Sequence, residues 1–343
     1  MKSYVLISNG NGGIATFQKY IITNILRLKS EIFLIDKKKS ATEKYFKKIR
    51  KGRIRSYYCN PISEPKRVLN YLTLISNRSK KKQTIFIFSN PLLLILYFFF
   101  IKIKFNETKI YLFLHSHILK YNFSQLLINF LSSILSPLIN KIYFVSEFTK
   151  KWWLKYFFCY KLSNYKVHHN SVELPQISKS VNKGNRIGFV GRLEKEKGIN
   201  IFLKIAEYMS ESKFSFEVFG DGSLKKEIKK NKYINLNKWE NQNKIYKKID
   251  ILFLTSPIEN CPFTILEAKS YGVPTLSISD GGIKEIIKNN NDGIILESNS
   301  NYKKIKKNLI YLKNNINKFK KNCIKNRKKF NEKINYLRLI KEM

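Results

Sequence analysis

A chain of 343 residues with 43% hydrophobic content is long enough for two domains with separate cores and too apolar for wholesale disorder. Its four cysteines, Cys59, Cys159, Cys261 and Cys323, form no C-x-x-C pair, which argues against a zinc site or a disulfide framework and suits a reducing cytoplasm. The formal net charge of +41 suits anionic lipid head groups or nucleic acid, although translation of an A/T-rich gene would produce the same excess of Lys, Asn and Ile.

Met1 to Gly10 holds a strand-length apolar run and a glycine turn, too short for a signal-peptide core. From there, apolar runs alternate with helical patterns, the signature of parallel sheets with crossover helices. The first half predicts strands at Tyr4–Ser8, Glu31–Ile35, Thr84–Phe88, Lys109–Leu114 and Lys141–Val145, with helices at Thr16–Leu28, Pro65–Ser76 and Ser124–Leu138. Leu92–Ile101 is apolar and aromatic but covers about half of the roughly 20 residues that span a bilayer, so it reads as a buried helix, with a surface-inserting helix as the alternative. Only six of the acids fall in the first 170 residues.

The polar, Pro- and Gly-containing segment 174–185 reads as a linker. Beyond it, strands are predicted at Arg186–Val190, Phe214–Phe219, Ile234–Leu236, Ile249–Leu254, Thr275–Ile278 and Gly293–Leu296. Helices are predicted at Ile199–Met209, Leu224–Lys230, Phe263–Tyr271 and Ile283–Lys288. Residues 301–343 carry Ile305, Leu309, Leu312, Ile316 and Phe319 at helical spacing and read as packed helices. Two doubly wound domains follow, residues 1–173 and 186–325, with a terminal helix at 326–343 packing back towards the first.

The chemistry concentrates at strand ends. Glu259 and Glu267 stand eight residues apart across a helix start, in Pro257-Ile-Glu-Asn-Cys-Pro-Phe-Thr-Ile-Leu-Glu. Unpaired N–H groups and the helix dipole favour an anion there, whereas carboxylates accept hydrogen bonds from hydroxyls. A phosphate carried on something rich in OH groups, such as a nucleotide sugar, satisfies both. Gly191-Arg-Leu-Glu-Lys-Glu-Lys-Gly198 places Arg192 and Lys197 where two cations can face a diphosphate. Phe219-Gly-Asp-Gly-Ser repeats the strand, glycine turn and helix, with Asp221 and Ser223 as capping candidates. Asp280-Gly-Gly-Ile-Lys-Glu285 does so again. Asn9-Gly-Asn-Gly-Gly-Ile-Ala15 lacks the spacing of a dinucleotide fingerprint, so hydride chemistry is disfavoured. His115 and His117 close an apolar strand and could meet a sugar hydroxyl; His168 and His169 read as structural.

Together these residues resemble family 4 of the retaining GT-B glycosyltransferases, over nearly the whole chain and most strongly from Arg186 to Glu297. The carriers are the E-x7-E of Glu259 and Glu267, Gly191-Arg192-Leu193 with Lys197-Gly198, Gly220-Asp-Gly222, and Gly281-Gly282 with Glu285. Asn170-Ser-Val-Glu173 resembles the family's N-G-V-D, with Ser171 where glycine is usual, and Val145-Ser-Glu-Phe-Thr-Lys150 resembles a helix opening of its first domain.

The resemblance implies an α/β GT-B fold, two Rossmann-like doubly wound domains facing a central cleft. Arg192 and Lys197 would hold the donor diphosphate beside Gly191 and Gly220, Glu267 the ribose, and Glu259 the transferred sugar. Asn260, Cys261, Pro262 and Phe263 would line the donor site, Gly12 and Gly13 would approach the phosphate, and His115, preferred over His117, would meet the sugar. The activity implied is hexosyl transfer with retention, without cofactor or metal, from a nucleotide sugar, UDP-linked ahead of GDP-linked. The acceptor implied is a lipid-linked saccharide at an anionic membrane surface on the cytoplasmic side, in making a bacterial O-antigen, capsule or lipopolysaccharide. A sugar-nucleotide epimerase is the alternative within the fold. A nucleic-acid-binding protein is suggested by charge alone and lacks any recognition motif.

Overall fold

The computed structural model describes residues 2–8, 12–28, 30–37, 54–79, 83–105, 107–116, 122–177 and 184–343. His117 lies outside the described residues, as do Gly10 and the lysines at 38, 39, 47, 48, 51 and 80–82. The chain divides into two units, Met1–His169 with Lys333–Met343, and Asn170–Glu332.

In the first unit, β1 (Ser3–Ile7), β2 (Glu31–Asp36), β3 (Ile54–Tyr58), β4 (Thr84–Phe88), β5 (Thr108–Leu114), β6 (Lys141–Phe144) and β7 (Tyr165–Val167) form a parallel sheet in the order β3-β2-β1-β4-β5-β6-β7. Tyr4 to Ile7 pair with Ile32 to Ile35 on one side and Ile85 to Phe88 on the other, all buried. Unbroken apolar runs suit such strands, which helices cover on both faces. β3 has no counterpart among the predicted strands: Ile54–Tyr58 mixes half-buried and exposed residues beside a run of cations, as an edge strand can.

Helix α1 (Gly13–Arg27) follows β1, and α2 (Pro65–Ser79), α3 (Pro91–Lys104), α4 (Phe123–Leu135) and α5 (Glu147–Tyr156) follow in turn. Val68, Leu72, Leu93, Phe98, Ile101 and Trp153 from these helices share one core with Val5, Phe33, Phe86, Ile110 and Ile142. At α3, the Asn90 side chain accepts the Leu92 N–H at 2.9 Å and Pro91 fills the first helical position. Among the described residues no helix is long and apolar enough to cross a membrane.

The second unit repeats the winding. β8 (Arg186–Val190), β9 (Ser215–Phe219), β10 (Asn235–Asn237), β11 (Ile251–Leu254), β13 (Thr275–Ser277) and β15 (Gly293–Ile295) run parallel in the order β10-β9-β8-β11-β13-β15, and β12 (Ile258–Glu259) pairs apart with β14 (Asp280–Gly281). The helices are α6 (Ile199–Tyr208), α7 (Lys225–Ile228), α8 (Gln242–Lys247), α9 (Phe263–Ser270), α10 (Tyr302–Asn314) and α11 (Ile316–Asn326). Ile305, Leu309, Leu312, Ile316 and Phe319 join Phe189, Phe202 and Phe253 in its core, as their spacing indicates. Two predicted helices shrink: 224–230 keeps only α7, and 283–288 becomes a 3₁₀ turn, Gly282–Glu285, because β14 holds the preceding residues extended.

The unit boundaries fall differently from 173 and 326. Asn170 donates its side-chain N–H to the Cys261 carbonyl at 2.7 Å, and Val172 exchanges backbone bonds with Phe330 and Glu332. Arg327 donates to the carbonyls of Pro175 and Ser270. These bonds tie 170–175 and 326–332 into the second unit. The last helix, α12 (Glu332–Glu342), brings Tyr336 against Phe17, Tyr20 and His168 of the first.

In each sheet the strand order reverses once, between β1 and β4 and between β8 and β11. Ligands of doubly wound sheets bind outside the carboxyl ends of the strands at such points.

Candidate functional site

The loops leaving β8 and β11 meet at the second reversal. Gly198 has φ +68, and a Cβ there would lie 2.0 Å from the Thr255 carbonyl oxygen. Thr255 returns a bond from Oγ1 to the Lys197 carbonyl at 3.2 Å. Lys197 is thus fixed by its backbone against the end of β11. Its Nζ lies 2.7 Å from Glu259 Oε1, and Ser256 Oγ donates to the same oxygen at 2.9 Å. The Lys197 side chain is 31% exposed and that of Glu259 13%, so the pair sits in a lowered dielectric while still open to solvent. Ser279 Oγ donates to the Ser256 carbonyl, linking the ends of β11 and β13. Glu259 itself is held by the β12 and β14 pairing opposite Gly281, whose φ of +100 and closeness to the Glu259 carbonyl exclude a side chain.

Replacing Gly198 by alanine is expected to destabilise the protein by more than about 2 kcal/mol, since positive φ and a backbone clash add. Urea unfolding of Gly198→Ala beside the wild type checks it.

Glu267 lies one helix turn into α9, only 8% exposed. Gln242 donates to its Oε1 at 2.6 Å and the Tyr246 hydroxyl to its Oε2 at 2.9 Å. Tyr246 stacks on Tyr271, ring centroids 5.4 Å apart, so α8 serves as a brace for this carboxylate. Cys261 is buried, its Sγ accepts the Asn170 N–H at 3.3 Å, and burial pushes the thiol up to about 12. Asn260 precedes it, Pro262 is the residue before α9, and buried Phe263 opens that helix.

Arg192 stands apart from the Lys197 and Glu259 pair, in an exposed ion pair with Glu196 at 3.0 Å. Its loop is rigid behind it. The Leu193 N–H donates to the Asp221 carbonyl at 3.0 Å, and the Gly191 N–H to the Phe219 carbonyl at 3.0 Å. A Cβ on Gly220 would lie 2.1 Å from the Gly191 carbonyl oxygen. Ser223, predicted as a cap, instead donates from N–H and hydroxyl to Glu194, because the Glu194 carboxylate reaches it across the two loops. Ser279, Gln242, Tyr246 and Glu194 carry no signal in the sequence that singles them out. Among the described residues no three His, Cys, Asp or Glu side chains gather as metal ligands would.

In the first unit, Gly12 precedes and Gly13 opens α1, at the carboxyl end of β1. His115 follows β5, with its ring edge-on to Phe17 of α1 at 4.6 Å. Its Nε2 is buried and accepts or donates no bond among the described residues. Burial, then the nearby His168, holds its pKa down to about 3; His168 is lowered to about 4, again chiefly by burial. Both rings are neutral near pH 7. An unfolded chain would protonate them near the ordinary 6.5, so below that pH the unfolded state takes up protons the folded state refuses. Stability should therefore fall as pH drops from about 6.5 towards 3 to 4. Urea unfolding near neutral and at mildly acid pH should show a loss that His115→Asn reduces.

Residues 171–330 match the family model described as Glycosyl transferases group 1. This segment is a group 1 glycosyl transferase domain. The chain is 30% identical over 159 residues to the GalNAc-alpha-(1->4)-GalNAc-alpha-(1->3)-diNAcBac-PP-undecaprenol alpha-1,4-N-acetyl-D-galactosaminyltransferase of Campylobacter jejuni, covering 43% of this chain and 44% of that one. It is 31% identical over 156 residues to the UDP-Gal:alpha-D-GlcNAc-diphosphoundecaprenol alpha-1,3-galactosyltransferase of Escherichia coli, 38% of this chain and 40% of that protein. The chain thus matches under half the length of these curated relatives. Anabaena HepE, solved with UDP, superposes with a TM-score of 0.81 at 14% identity, covering 100% of this chain and 99% of that one. The group 1 domain and the unit before it therefore share the GT-B fold.

Proposed function

We propose that the protein is a retaining hexosyltransferase. It takes a sugar from a nucleotide-sugar donor, UDP-linked in preference to GDP-linked, and passes it to a lipid-linked saccharide in bacterial surface polysaccharide synthesis. In this reading it needs no metal or cofactor, works at the anionic inner face of the cytoplasmic membrane and binds no nucleic acid. The observation that carries the reading is the Lys197 and Glu259 pair at 2.7 Å, beside the Arg192 loop at the reversal of a parallel sheet.

That pair is a device for exchanging partners. A diphosphate competes with Glu259 for the Lys197 ammonium, and Ser256 keeps the displaced carboxylate in place to accept sugar hydroxyls. Arg192 turns from the exposed Glu196 to the same phosphates. Glu267 already accepts from Gln242 and Tyr246, but each carboxylate oxygen has a second lone pair for a ribose hydroxyl. As the bond from the sugar's anomeric carbon to the diphosphate breaks, its electrons go to the phosphate oxygen facing Lys197. The acceptor oxygen attacks the same face and passes its proton to that phosphate. The neutral His115 ring can offer one hydrogen bond to a sugar hydroxyl.

The relatives' names support the lipid-linked acceptor: those of the Campylobacter and Escherichia proteins specify undecaprenol diphosphate carriers, and the second a UDP-sugar. The test is a thermal-shift panel of UDP-, GDP- and ADP-sugars. A donor near a hundredfold excess over its Kd should add about 2.7 kcal/mol of stability. A UDP-sugar should give the largest shift; no shift with any nucleotide would overturn the reading.

A further inference from the structure

Helix α4 is built inside out. The stretch 122–140 contains no charged residue in a chain with 65 Lys and Arg. Its inward side is mostly small and polar: Asn129, Ser132, Ser133 and Ser136 are at most 1% exposed, with Leu135 at 9% the apolar member. Ser132 bonds the Tyr160 hydroxyl at 2.7 Å and Ser136 the Ser163 hydroxyl at 2.6 Å. Its outward residues are Phe123, Leu127, Phe130, Leu131 and Ile134, continued by Leu138, with Phe123 81% and Phe130 54% exposed. They recur along one stripe about 100° wide, the apolar face that a helix in water normally turns to the core. Here that face points away from it.

The neighbours extend the patch. Helix α3 packs against α4 and exposes Leu96, Phe99 and Ile103, the last 78% open. The 3₁₀ turn Phe158–Leu162 packs against α4 too and exposes Phe158 and Leu162. Cations flank the patch: Lys102, Lys155 and Lys161 lie 5.8, 5.4 and 5.4 Å from the ring centres of Phe98, Tyr156 and Phe158. Between residues 91 and 146 the sole acid is Glu107. An apolar stripe bordered by ammonium groups, on a helix too short to cross a bilayer, matches the acyl and headgroup boundary of an anionic leaflet.

We propose that α4, with the exposed sides of α3 and the Phe158–Leu162 turn, is a monotopic insertion face that seats the first unit in anionic lipid. This deepens the membrane-surface reading above, on which it rests, by placing that surface on an uncharged helix.

The test is flotation of the full chain with vesicles of phosphatidylglycerol and phosphatidylethanolamine in equal parts, and with neutral phosphatidylcholine vesicles. The wild type should float with the anionic vesicles. Phe130→Glu with Ile134→Glu, both at exposed positions, should weaken partition about tenfold or more while keeping the thermal melt. Phe130→Trp should gain fluorescence that brominated lipid quenches. The proposal is overturned if the wild type stays at the bottom, if the double variant floats as well, if brominated lipid leaves the fluorescence gained by Phe130→Trp unquenched, or if neutral vesicles serve equally. It is also overturned if the wild type is a dimer that the double variant splits and neither floats, since the patch then covers a second copy. UDP-induced thermal shifts on the same samples separate the two readings. Lost flotation with an intact shift supports the insertion face, and flotation lost only in the variant supports it even where no nucleotide binds and the catalytic reading fails.

Discussion

Lys197→Ala should lower sugar transfer by about a hundred- to a thousandfold, the usual effect of deleting one preorganised group that stabilises leaving-group charge. The fold should survive, because the residue is 31% exposed and its ion pair is only partly buried; a cost within about 1 to 2 kcal/mol is expected. The partner substitution discriminates. Glu259→Gln removes the carboxylate that competes for the ammonium, so UDP should bind at least as tightly as to the wild type while turnover is lost. Calorimetric UDP titration together with single-turnover assays on both variants checks this. Near-normal turnover by Lys197→Ala would remove the diphosphate role, and weakened UDP binding by Glu259→Gln would show that the pair does not exchange partners.

Lys269→Met should be the most destabilising single change in the second unit, at about 3 to 5 kcal/mol. Lys269 is 2% exposed on α9, two residues after Glu267, and its ammonium meets Asp292 at 2.8 Å and the Ile286 carbonyl. Asp292 is also buried and accepts the Lys288 N–H and the Asn326 amide. Removing the cation leaves a carboxylate in the core with hydrogen bonds but no counter-charge, whereas Lys269→Met with Asp292→Asn removes both charges and should recover part of the loss. Urea unfolding of the single and double variants gives the coupling directly. Equal stability of single variant and wild type would show that the amide and backbone donors suffice for Asp292.

The buried strands were legible because parallel strands carry continuous apolar runs, as Tyr4–Ile7 and Ile251–Leu254 do. The glycine loops at Gly191, Gly220 and Gly281 were legible as strand ends for the same reason. What escaped was short or non-periodic. The two-residue pairing of Ile258 and Glu259 with Asp280 and Gly281 has no pattern of its own. Gln242 and Tyr246 reach Glu267 from a six-residue helix with no apolar stripe long enough to announce it. Ser256 stands three residues before Glu259, a spacing that could have suggested a bond. For α4 the periodicity was right and its meaning inverted: the sequence has an apolar stripe, and only packing reveals that Asn129 and Ser132 face inward. Sequence placed Arg192 beside Lys197, while the structure turns it to Glu196.

Tyr336, seated among Phe17, Tyr20 and His168, sets an order of assembly. A ribosome makes the first unit's sheet early but delivers this aromatic plug only after every residue of 170–332. Until then the first unit lacks this plug on its α1 side, whereas the second unit is contiguous in the chain. A chain ending before residue 333 should accordingly be more protease-sensitive in the first unit than in the second.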